Sequence, residues 1–70
     1  MPKAEIGNQI RRLRFEHGEM SQQTLAETVG CSRQTIVLLE QGRYVPSLLL
    51  AMRIARVFGA RVEDVFTLGE

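Results

Sequence analysis

The stretch SQQTLAETVGCSRQTI, Ser21 to Ile36, decides the fold. Ser21 is a natural N-cap, with an oxygen to accept from the free N–H groups of the turn that follows. From it runs QQTLAETV, which puts Leu25, Ala26 and Val29 on one side of a helix. Gly30 then stops that helix in the left-handed conformation that glycine adopts at little cost. Ser32 repeats the cap and opens a second helix, Arg33 to Gln41, with Gly42 as its stop. Two short helices joined only by a Gly-x-Ser corner cannot lie side by side, so the corner sets them at a steep angle. Ala26 is the small residue such a crossing needs, and Leu25, Val29, Ile36 and Leu39 fill the wedge between the two helices.

Outward from this centre, Ile6, Ile10, Leu13 and, more loosely, Phe15 recur at near-helical spacing and predict a first helix from Ala4 to Glu16, ended by His17-Gly18. On the other side RYVP is a short loop, since Pro46 keeps Val45 out of the helical region. Ser47 caps a fourth helix through Phe58, with Leu48, Ala51, Ile54, Ala55 and Phe58 along one face. Gly59 breaks it, and RVEDVF is a short fifth helix carrying Val62, Val65 and Phe66 before a polar tail, TLGE. No β-type alternation, repeat or linker interrupts the pattern. The expectation is an all-α fold of five helices in one domain over residues 1–70, with its paired helices at about 21–41.

A chain of 70 residues has a limited core, and cores of this size are often helped by a metal, disulfides or oligomerisation. One cysteine, Cys31, excludes an internal disulfide, and with a single histidine, His17, a structural zinc site is not expected. Oligomerisation is the remaining aid. A net charge of +1 is no strong basic excess, so any affinity for nucleic acid must rest on where charges sit. MPKAEIG has no signal-peptide core and the longest apolar runs, IVLL and LLLAM, are too short to span a membrane, so a cytoplasmic protein is expected. No nucleophile with a base, no metal cluster and no phosphate loop can be assembled, and neither enzymatic activity nor a cofactor is expected.

With these residues in place, IGNQIRRLRFEHGEMSQQTLAETVGCSRQTI, LEQGRYVPSL and IARVFGARVEDVF together resemble the phage repressor and Cro family of helix-turn-helix regulators, over nearly the whole chain. The resemblance implies a five-helix domain that binds double-stranded DNA as a homodimer, its third helix in the major groove. It places Ser32, Arg33 and Gln34 at base-reading positions; Arg33 suits the two acceptors of guanine and Gln34 the donor and acceptor of adenine. It places Gln22, Thr35, Gln41 and Arg43 at phosphates, which fix register without reading sequence. Arg14 and Glu40 match an ion pair joining helix 1 to helix 3, a structural role.

The same third helix raises a question of its own, because SRQTIVLLEQG has four consecutive apolar residues, Ile36 to Leu39, and successive residues turn by about 100°. Ile36 and Leu39 fall on the core side. Val37 and Leu38 fall on the outer face with Gln34, where a thymine methyl is a fitting partner for an apolar side chain, so both join the base-reading set. A neighbouring loop or a partner chain is the other occupant for them.

Leu49, Val62, Val65, Phe66 and Leu68 give the C-terminal part more apolar residues than a small core needs, and predict a homodimer interface over 59–70 with part of helix 4. The whole reading is a transcriptional regulator, a repressor, whose twin recognition helices enter major grooves about 34 Å apart on an inverted repeat. Two other readings stand beside it: an antitoxin that represses its own operon while a further surface meets a toxin, and a protein-binding domain whose DNA face is vestigial.

Overall fold

A computed structural model describes residues 6–69. Five helices and two short strands follow in the order β1 (Ile6–Asn8), α1 (Ile10–Glu16), α2 (Gln22–Val29), α3 (Arg33–Glu40), α4 (Leu48–Val57), α5 (Val62–Val65) and β2 (Phe66–Leu68). Three of the helices start on serine. Ser21, Ser32 and Ser47 each take extended backbone and accept from the N–H three residues on, at 2.9, 3.2 and 3.1 Å. Between α2 and α3 the chain turns at Gly30, whose φ of +83° is one that side-chain-bearing residues rarely adopt. Its N–H and that of Cys31 both donate to the Ala26 carbonyl, at 2.9 and 3.0 Å, which closes α2 and aims the chain into α3.

The core is assembled from all the helices: Ile10 and Leu13 of α1, Leu25, Ala26 and Val29 of α2, Ile36 and Leu39 of α3, Ile54 and Ala55 of α4 with Phe58 just beyond it, and Val65 of α5. The wedge expected at the α2–α3 crossing is buried throughout. The fold is all-α in its bulk and carries a small sheet.

That sheet is the main departure from the sequence reading. The first helix was expected from Ala4, which with Glu5 lies outside the described residues; α1 instead begins at Ile10. Ile6, Gly7 and Asn8 form β1 and pair antiparallel with β2, opposite Leu68, Thr67 and Phe66 respectively. The physical reason lies in Asn8 and Gly7. Asn8 Oδ1 accepts from the Ile10 N–H at 3.2 Å, a local cap that ends the extended segment, while its Nδ2 donates to the Leu39 carbonyl at 2.8 Å. Gly7 is a poor helix former, and a Cβ there would stand 3.2 Å from Thr67 Oγ1. Gln9 N–H donates to the Val65 carbonyl at 2.8 Å, so the far end of the chain supplies partners that a longer helix would have found within itself.

At the C-terminus Phe66 belongs to β2 rather than to the fifth helix, and Thr67 and Leu68 are strand rather than polar tail. Leu48, expected on the inward face, is 72% exposed, and Phe15 is 53% exposed. Leu48 shares its face with Ala51 and Ala55 but stands in the first turn of α4, beyond the end of the core.

Candidate nucleic-acid interface

α3 owes its position to polar ties at its C-terminal end as much as to its apolar side. Arg14 of α1 reaches Glu40 with two parallel bonds, Nε to Oε2 at 2.7 Å and Nη2 to Oε1 at 3.0 Å, and its Nη1 donates to the Met20 carbonyl at 2.7 Å. Both side chains are nearly buried, 12% and 10% exposed. Gln22 Nε2 donates to the same Glu40 Oε1 at 3.2 Å. One carboxylate on α3 therefore binds α1, the α1–α2 loop through Arg14, and the first residue of α2. The forked geometry suits guanidinium and carboxylate, and such a pair depends on these extra hydrogen bonds to offset the loss of water. Asn8 holds the neighbouring turn through the Leu39 carbonyl. The sequence reading missed Asn8; a cap-type residue two places before Ile10 was the available signal.

Held in this way, α3 turns its other side outward. Ser32, Arg33 and Gln34 are exposed in its first turn, and Gln41 and Arg43 are exposed beyond its end. Ser32 Oγ is also the cap, and lies 3.0 Å from Thr35 Oγ1, so both hydroxyls serve the start of the helix. Thr35, Val37 and Leu38 are half-buried, which is less open than the helical wheel implies for the last two. Val37 lines a groove between α1 and α3 together with Arg11, Arg14, Phe15, Gln22, Glu40 and Gln41. Two of the residues expected at phosphates, Gln22 and Gln41, thus stand around one hollow with Val37.

Charges on α1 divide by direction. Arg12 lies 3.7 Å from Glu16 on the exposed side, whereas the Arg11 guanidinium sits over the Phe15 ring, 6.0 Å from its centroid. Because Glu40 neutralises Arg14, the floor of the groove is a compensated pair and its cationic character comes from the rim.

The residues expected at a dimer interface are not gathered in one patch. Val65 is 0% exposed, packed in the chain's own core with no surface to offer a partner, and so leaves that set. Leu49 and Val62 line a hollow between α4 and α5 with Met52, Arg53, Arg56, Ala60 and Arg61. Phe66 is half-buried against the core, and Leu68, 76% exposed, stands in β2. Beside the hollow Arg61 and Asp64 form an exposed pair at 3.1 Å around the start of α5, and its hydrogen bonds hold the Asp64 carboxyl below its usual value.

Cys31 is half-buried in the turn, and burial pushes its thiol up, away from the reactive thiolate. His17 Nδ1 donates to the Leu13 carbonyl at 2.9 Å and its ring packs against Phe58, a closing role for α1. Among the described residues no group of His, Cys, Asp and Glu could hold a metal ion, and no helix is long and apolar enough to cross a membrane.

The sequence of this chain is similar to those of known proteins. The helix-turn-helix domain family matches residues 5–67. An uncharacterized HTH-type transcriptional regulator of Bacillus subtilis, YgzD, is 51% identical over 90% of this chain and 94% of its own. Uncharacterized HTH-type transcriptional regulators of two archaea are similar to it as well: one of Archaeoglobus fulgidus, 58% identical over 81% of this chain and 80% of its own, and one of Methanothermobacter thermautotrophicus, 56% identical over 87% and 88%.

Proposed function

This chain belongs to the family of small helix-turn-helix transcriptional regulators, and from that premise we propose that it binds double-stranded DNA in a sequence-specific way and acts as a repressor. One observation carries the reading: the exposed turn Ser32-Arg33-Gln34 opens a helix whose opposite end is fixed to α1 by a nearly buried Arg14–Glu40 pair. Base recognition demands side chains held on a rigid element, and α3 has apolar contacts on one side and three polar ties at its end. Arg33 and Gln34 read base edges in the major groove; Val37 and Leu38, half-buried beside them, offer methyl contacts to thymine. Gln22, Thr35, Gln41 and Arg43 hold phosphates on either side and set the register.

A twofold dimer on an inverted repeat completes the proposal. Its apolar contact is supplied by Leu49 and Val62 in the α4–α5 hollow, with Phe66 and Leu68 on the strand that follows α5. Selection of bound duplexes from a random pool tests the whole. It is expected to return a site with two half-sites about 34 Å apart, bound by two chains. Recovery of no preferred sequence, or of a site bound by one chain that sediments as a monomer at high micromolar concentration, would overturn the repressor-dimer reading.

A further inference from the structure

We propose that Arg11 is a phosphate-binding residue and that the groove between α1 and α3 carries the sugar-phosphate backbone of bound DNA. This rests on the DNA-binding reading above and extends it to a helix outside the paired α2–α3 unit. Three arginines crowd α1, and the structure separates them. Arg14 is fixed on Glu40 and the Met20 carbonyl, and Arg12 faces Glu16 on the exposed side. Arg11 lines the groove whose opposite wall is Val37 and Gln41 and whose end is Gln22.

The groove meets the outer face of α3 at Val37, and Gln41 continues its wall just past the helix end. Its floor is the compensated Arg14–Glu40 pair, so an anion entering it meets no net negative charge from Glu40 and one cationic rim residue in Arg11. A phosphodiester fits that chemistry, as guanidinium matches its oxygens in geometry and in charge. Phe15 then has a role that the core does not give it. It is more than half exposed, yet its ring lies under the Arg11 guanidinium, which restrains the side chain without neutralising it.

The test compares the salt dependence of binding for Arg11→Gln, Arg11→Lys and Arg12→Gln on the selected duplex and on a random one, with thermal unfolding as a check on the fold. For Arg11→Gln the slope of log affinity against log salt is expected to become shallower by about one, and affinity for both duplexes to fall by the same factor. Arg11→Lys should keep the wild-type slope with a smaller loss, and Arg12→Gln should match wild type. A wild-type slope in folded Arg11→Gln, or an equal change in Arg12→Gln, would overturn the assignment while leaving the α3 reading intact. Failure of the wild-type chain to bind any duplex at low salt would overturn both.

Discussion

The α1–α3 side and the α4–α5 side of this molecule each carry an arginine–carboxylate pair beside a hollow, and the two pairs differ in what they can do. Arg14 and Glu40 are 26 residues apart, nearly buried and joined by two bonds, so their contact fixes one helix against another. Arg61 and Asp64 are three residues apart and open to solvent, and their contact closes only the first turn of a four-residue helix. Water and salt screen an exposed pair, whereas a buried one that loses a partner leaves a charge without compensation. The same chemistry thus positions a surface on one side and trims a helix end on the other.

The strongest way to break the contrast is Glu40→Ala. It strands Arg14, removes the partner of Gln22 and is expected to cost about 3–5 kcal/mol of stability by chemical denaturation. The double change Arg14→Met with Glu40→Met should recover much of that loss, since no uncompensated charge remains. Serine caps sharpen the comparison at a smaller scale. Ser32→Ala and Ser47→Ala should each cost about 1 kcal/mol in the same measurement, but Ser32→Ala alone should weaken DNA binding, because it loosens the turn that carries Arg33 and Gln34.

The smallest effect belongs to Asp64. Its carboxyl is held below the ordinary value by the hydrogen bond from Arg61, so its contribution to stability is present above the unfolded-state value of about 3.9 and is lost as pH falls through the lowered one. Thermal midpoints of wild type and Asp64→Asn should therefore differ slightly near neutral pH and converge in strong acid. A difference that persists under full protonation would mean that Asp64 acts through packing instead.

Much of the centre of the molecule was legible because its signals are local. A serine before each of α2, α3 and α4 and Gly30 after α2 are backbone requirements written in single residues, and the α2–α3 wedge follows from helical spacing within a few turns. The chain ends were not legible in that way. Ile6 and Ile10 are spaced like a helix, and only the presence of β2 sixty residues away, with Asn8 tied to Leu39, converts the segment into a strand. Val65 and Leu48 failed for the opposite reasons: periodicity gives the face a residue lies on, but not whether the core extends far enough to cover it. On α3 the wheel separated Ile36 and Leu39 from Val37 and Leu38 correctly, yet it could not see α1, whose Arg11 and Phe15 stand with Val37 around one groove.

The central claim is that the outer face of α3 reads base sequence. Its most direct measurement is the affinity of Gln34→Ala relative to wild type on the selected duplex and on random duplexes at one salt concentration. A loss of about 1–3 kcal/mol confined to the selected duplex, with relaxed preference at a single base pair, is the expected result. Equal losses on selected and random DNA, or none on either, would contradict it.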